Sequence, residues 1–126
     1  MKVNRLSPQD YPERLGLLHQ PPSGLYEMGQ PINDLLTRPA LGIVGSRKVS
    51  NYGREVTSRL AADFAGKGGT VISGLALGVD SIAHQAAIEA GGLTIAVLPS
   101  SIESIYPASH SGLARQILQK RGSLLS

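Results

Sequence analysis

The chain has 126 residues, 41% of them hydrophobic and 4% aromatic, and carries a formal net charge of +3. That length suits one domain with a modest core, and the apolar fraction excludes a wholly disordered chain. The absence of cysteine excludes disulfides, thiolate metal sites and cysteine nucleophiles.

No apolar run approaches the roughly 20 residues of a membrane span. The start, Met1-Lys-Val-Asn-Arg-Leu-Ser-Pro8, lacks the apolar stretch of a signal peptide. The expectation is a soluble, cytoplasmic protein without a membrane partner. Scarce aromatics and abundant alanine and glycine favour close packing of helices on a sheet over a β-sandwich.

Residues 1–39 are punctuated by Tyr11-Pro12, Gln20-Pro21-Pro22, Gln30-Pro31 and Arg38-Pro39, which bias the chain toward extended and turn conformations. A short helix between Pro12 and His19, a strand at Leu25–Met28 and a helical turn at Ile32–Leu36 are expected. This lead-in is read as packing on the core that follows.

Residues 40–126 are regular. Leu41–Val44 reads as a buried strand. Ser50 or Asn51 caps a helix whose apolar face is Tyr52, Val56, Leu60 and Phe64, stopped by Gly66, Gly68 and Gly69. Thr70–Ser73 is the next strand, Val79–Ala90 the next helix and Leu93–Leu98 a third strand. A loop from Pro99 to Pro107 leads to a helix bearing Leu113, Ile117 and Leu118, capped by Ser109. Ser123–Ser126 reads as the start of a last strand. This alternation predicts a three-layer α/β fold, Rossmann-like, with a mostly parallel sheet. Right-handed crossovers place the loops at Gly45, Gly74 and Pro99 along one sheet edge, where open α/β sheets bind ligands.

Charge is uneven along the chain. Arg38, Arg47, Lys48, Arg54, Arg59 and Lys67 face only Glu55 and Asp63 in that stretch, and residues 68–114 contain no lysine or arginine. A basic excess favours a polyanion. For Arg54, Arg59 and Lys67 a solvated helix face is the simpler account, whereas Arg47 and Lys48 sit in a strand–helix junction.

Two such junctions stand out. Gly45-Ser46-Arg47 combines a tight turn, a hydroxyl and a planar guanidinium suited to phosphate, or is merely a turn with a surface arginine. Ser73-Gly74-Leu75-Ala76-Leu77-Gly78 leads into a helix whose first turn carries Asp80. Unpaired N–H groups at such a junction suit an anion, although the glycines alone fit a tight crossover. Neither G-x-G-x-x-G nor the P-loop pattern occurs, so no cofactor is expected. Asp80 and His84 are spaced to touch, most simply as a helix-start carboxylate and an ordinary polar contact. His19 and His110 lack partners at metal-ligand spacing, the serines lack a nucleophile elbow, and Tyr106-Pro107 fixes a turn. No constellation demands an enzyme. No base-stacking platform is evident either, since the spacing of Tyr52 assigns it to the core.

The motifs Ile43-Val-Gly-Ser-Arg-Lys-Val-Ser-Asn-Tyr-Gly53, Ser73-Gly-Leu-Ala-Leu-Gly-Val-Asp80 with His84, Thr94-Ile-Ala-Val-Leu98 and Ile105-Tyr-Pro107 occur in order. With Tyr11-Pro12, Pro21-Pro22 and Leu25-Tyr26 they resemble the DNA-processing protein A (DprA/Smf) family over essentially the whole chain. The resemblance implies a non-enzymatic protein that binds and protects single-stranded DNA, supports loading of the RecA recombinase in natural transformation, and forms a homodimer when full-length. By position it implies that Arg47 binds phosphate in a loop shaped by Gly45 and Ser46. Ser73, Gly74, Ala76 and Gly78 form a second phosphate-facing loop, supported by Asp80. Two departures follow. Pro99-Ser-Ser-Ile-Glu103 stands where the family has a glycine-rich turn, and Glu103 adds a negative charge. The family's next stretch, with further DNA contacts and much of the dimer surface, lies beyond Ser126, so residues 40–126 are expected to be an incomplete core. The alternative reading is a nucleotide-binding or nucleotide-processing domain on the same sheet. Gly68-Gly69-Thr70 lacks the Pro-Gly-Gly-x-Gly-Thr context of a phosphoribohydrolase.

Overall fold

The computed structural model describes all residues from Met1 to Ser126. Its strands are β1 (Val3–Leu6), β2 (Leu25–Gly29), β3 (Ala40–Gly42), β4 (Thr70–Ser73), β5 (Leu93–Val97) and β6 (Ser123–Leu125). Its helices are α1 (Glu13–Gly16), α2 (Ile32–Leu35), α3 (Asn51–Gly66), α4 (Val79–Glu89) and α5 (Ser111–Gln119). No helix is long and apolar enough to cross a membrane.

One six-stranded sheet runs in the order β1-β2-β6-β5-β4-β3. The four strands β3 to β6 are parallel, and β1 and β2 form an antiparallel pair added beside β6. The fold is therefore α/β with a mostly parallel sheet. Residues 1–39 supply two strands of that same sheet. The strand order β6-β5-β4-β3 never reverses, so crossovers of one hand stack α3, α4 and α5 on one face. The lead-in helix α2 packs on the other.

Alternation along each strand separates the two faces. Val71, Ala96 and Leu124 point toward α3–α5, whereas Ile72, Leu93, Ile95 and Leu125 join Ile32 and Leu35 of α2. The start of α2 is held by the buried Glu27, whose Oε2 accepts the Ile32 N–H at 3.1 Å. Between α3 and α4 the core is built from small side chains, Ala61, Ala65, Ala83, Ala86 and Ala87. Such residues let two helices and a sheet approach closely and keep the crossovers short.

Two expectations are corrected here. The buried side of α3 is Thr57, Ala61 and Ala65, while Tyr52 and Leu60 are 77% and 55% exposed. A spacing of four describes both stripes equally, and the narrow gap against α4 selects the one with small side chains. The first core strand ends at Gly42 rather than Val44. Ile43 still donates its N–H to the Ile72 carbonyl at 2.9 Å, but Val44 has left the ladder and is 78% exposed.

Candidate functional site

The loops following β3 and β4 meet at the C-terminal edge of the parallel strands. Val79, the first residue of α4, donates its N–H to the Ser46 carbonyl at 3.1 Å. Gly78 lies against the same stretch with φ +84, and a Cβ on it would sit 2.2 Å from the Ser46 oxygen and 2.6 Å from that of Arg47. Gly45 is equally confined, because a Cβ there would fall 2.8 Å from the Val79 side chain. The first loop thus rests directly on the start of α4.

Inside the first loop Ser46 Oγ donates to the Lys48 carbonyl at 2.7 Å and accepts the Lys48 N–H at 3.1 Å. The hydroxyl is thereby engaged in its own turn. Ser50 caps α3 by accepting the Gly53 N–H at 3.0 Å. The Arg47 side chain, between these two fixed points, makes no hydrogen bond or ion pair within the chain, whose one salt bridge joins Arg59 and Glu55.

The second loop is gripped from behind. Asp80 Oδ2 accepts the Gly74 N–H at 3.0 Å, and His84 Nε2 accepts the adjacent Leu75 N–H at 3.1 Å. The two side chains do not bond each other. Their spacing of one helical turn lets α4 take hold of two consecutive peptide groups. His84 Nδ1 lies 2.7 Å from Thr94 Oγ1, whose hydroxyl donates to the Val71 carbonyl at 2.8 Å. Thr94 must therefore accept from His84, which fixes the Nδ1–H tautomer and leaves Nε2 free to accept from Leu75. On the other side of Leu75 its carbonyl accepts from His110 Nδ1 at 2.7 Å. Leu75 is fully buried with φ 61, a left-handed conformation uncommon for a branched side chain, and its backbone is bonded at both ends. Burial first, and the nearby His110 second, push the pKa of His84 down from 6.5 to about 3. The imidazole is therefore a neutral structural part.

This grip decides which N–H groups face outward. Those of Gly74 and Leu75 are used internally, whereas no protein group accepts the N–H of Ala76, Leu77 or Gly78. The Ser73 side chain is buried, with its hydroxyl on the Ile43 carbonyl across the β3–β4 pair. It does not line the opening.

Arg47, Gly74 and Ala76 do share one cavity of about 80 Å³, walled further by Leu77, Pro99, Tyr106 and Pro107. Gly45, Ser46, Gly78 and Asp80 stand behind that surface. Tyr106 changes the reading of the site most. Sequence spacing gave it a turn-fixing role, yet it is 61% exposed beside Arg47, and Tyr52 is exposed too. The signals for Tyr106 were its place in the Ile105-Tyr-Pro107 motif and in the loop after the third core strand, on the same sheet edge. Glu103 points elsewhere, into a small depression with Val3, Tyr26 and Ser126. No group of three or more histidine, aspartate or glutamate side chains is arranged to hold a metal.

A cationic fork, the unpaired N–H groups of Ala76 and Leu77 and an exposed phenol around a shallow opening are the parts of a phosphate-and-base contact. A family model described as DNA recombination-mediator protein A matches residues 2–126. The DNA processing protein DprA of Bacillus subtilis (strain 168) is 36% identical over 109 residues, covering 86% of this chain and 36% of that protein. The solved structure of DNA processing protein A from Helicobacter pylori, described as having a unique single-stranded DNA binding mode, superposes with a TM-score of 0.86. It is 33% identical, with 99% of this chain and 55% of that one covered. The Streptococcus pneumoniae DprA structure gives a TM-score of 0.87 at 31% identity, covering 99% and 44%. The chain thus spans about a third of the length of this curated relative.

Proposed function

Since the chain belongs to the DNA recombination-mediator protein A (DprA/Smf) family, we propose that its crevice binds the phosphate backbone of single-stranded DNA without sequence preference. In this reading Arg47 and the N–H groups of Ala76 and Leu77 hold phosphate, and Gly45, Ser46, Ser73, Gly74, Gly78 and Asp80 keep the two loops in place. Tyr106 offers a face on which a base stacks. The role involves no chemical step. It shields single strands in the cytoplasm and supports their transfer to a RecA-type recombinase, with a second copy of the full-length protein as partner.

The observation that carries the reading is the unpaired Arg47 beside the open N–H groups at the start of α4. Size favours a strand over a free nucleotide. Small-molecule sites enclose roughly 300–1,000 Å³. A cavity of about 80 Å³ seats one phosphate and leaves the rest of the ligand outside.

Arg47→Ala is expected to weaken binding of a fluorescent oligo-dT about tenfold, the value of a charge-assisted contact of roughly 1.5 kcal/mol. The slope of log affinity against log salt should become shallower by about 0.7, one phosphate's worth on a single strand. Mononucleotides should bind neither chain measurably in anisotropy competition. Unchanged oligo-dT binding in the Arg47 variant would rule the crevice out. Tyr106→Ala is expected to cost about fivefold or more, through a stacking contribution of roughly 1–3 kcal/mol per base, while leaving the salt slope unchanged. A changed slope with unchanged affinity at low salt would contradict the stacking role.

A further inference from the structure

The opposite edge of the sheet carries a second basic feature that the crevice does not use. A polar groove of about 670 Å³ runs across the N-terminal ends of the parallel strands. Arg38, just before β3, and Lys120 and Arg121, just before β6, line it together although they are far apart in sequence. All three are exposed, none has a carboxylate within ion-pair distance, and Asp34 is the one acidic residue in the lining.

The three turns that enter this groove allow an internal comparison. Each helix of the α3–α5 layer ends in a cap residue followed by a left-handed residue. Lys67 is followed by Gly68 at φ +94, Ala90 by Gly91 at φ +76, and Lys120 by Arg121 at φ +66. Glycine is the usual occupant of that position because it lacks a Cβ. The third turn instead holds an arginine in a costly conformation for an L residue, and that arginine reaches the groove. At Gly68 and Gly91 an added Cβ would meet nothing within 4 Å, so the glycine turns leave the rim low and open.

We propose that Arg38, Lys120 and Arg121 form a second, sequence-independent binding site for the phosphate backbone of a single-stranded nucleic acid. Protein partners are anchored by buried aromatic and aliphatic side chains, and none of the exposed large apolar residues lies here. The same lack argues against a lipid surface. Non-specific nucleic-acid binding needs mainly unpaired cations on an open, polar track, which this groove supplies. The crevice and the groove lie on opposite ends of the sheet, so one chain can hold two segments of strand at once.

The test compares this chain, Arg47→Ala, the double variant Lys120→Ala with Arg121→Gly, and all three substitutions together, using labelled dT30 in a salt series. Arg121→Gly relieves the left-handed arginine, so the double variant should melt at or above the parent temperature, which separates a lost site from a lost fold. The double variant should bind dT30 at least fivefold more weakly, with a slope reduced by about 1.4 for two phosphates. The Arg47→Ala chain should keep a residual, salt-sensitive binding that the triple variant lacks. Unchanged affinity and slope in the double variant overturn the proposal, as does equal loss with a collapsed melting temperature. If Arg47→Ala is silent while the double variant is impaired, the groove stands and the crevice reading falls; the converse result removes only the groove.

Discussion

Gly78→Ala is expected to lower the unfolding free energy by about 3 kcal/mol and to weaken oligonucleotide binding at the crevice at least as much as Arg47→Ala does. A Cβ at this position meets two main-chain carbonyl oxygens, at 2.2 Å and 2.6 Å, rather than flexible side-chain ends. Neither oxygen yields without moving the Ser46–Arg47 peptide, whose carbonyl also accepts the Val79 N–H. The backbone adds its own penalty, since φ +84 with ψ −128 belongs to a region that only glycine enters readily. The substitution therefore forces apart the loops that present Arg47 and the free N–H groups. Urea unfolding should show the loss as a lower midpoint at an unchanged slope. Arg47→Ala is the control, because an exposed, unpaired side chain should change stability by no more than about 0.5 kcal/mol. A Gly78→Ala chain with the parental midpoint would show that the two loops do not touch.

Acidification should destabilise the fold through His84. Its pKa is about 3 in the folded chain against an ordinary 6.5, so the stabilisation tied to the neutral ring is complete above pH 6.5. As pH falls from 6.5 toward 3 the unfolded chain takes up a proton that the folded chain refuses. The loss approaches about 1.4 kcal/mol per pH unit and totals on the order of 5 kcal/mol across that window. The geometry gives the cause. Protonation would place an N–H on Nε2 facing the Leu75 N–H, and both would lack an acceptor within a fully buried pocket. His84→Gln keeps an acceptor and a donor in similar places but cannot titrate. It should be less stable than the parent at pH 7.5, and the difference should shrink or reverse by pH 4.5. Urea midpoints at four pH values measure this. A parallel dependence in both chains would assign the acid sensitivity to other groups.

These two effects also mark the boundary of what the sequence reveals. The four parallel strands are legible because short apolar runs bounded by glycine and proline have few alternatives. Strand β1 is not, since Asn4 and Arg5, on opposite faces of a short strand at the sheet margin, are both exposed and read as loop. The face of α3 was misassigned because periodicity registers apolar character and not the width of the gap to be filled. Of the site, the two glycine-bearing loops and Arg47 carry local signals. The grip on Leu75 carries none, because His84, Thr94 and His110 converge only through the β4–α4–β5–α5 topology. Ser73 looked like a ligand group for the same reason. Its hydroxyl is equally suited to tying β4 to β3, and only tertiary structure shows which use it has.

The Val79–Ser46 hydrogen bond and the close seat of Gly78 join the two loops into one body before any ligand arrives. Under the proposed function a strand reaching the crevice would meet donors already in position, so little conformational entropy would be lost on contact. Association then needs no slow rearrangement, and its rate is set by diffusion and by the long-range attraction of a basic surface. Loosening the loops should lengthen the search for a productive contact. Removing Tyr106 should act instead on departure, shortening the time a captured strand stays, whereas removing the exposed Arg47 charge should also slow arrival at low salt.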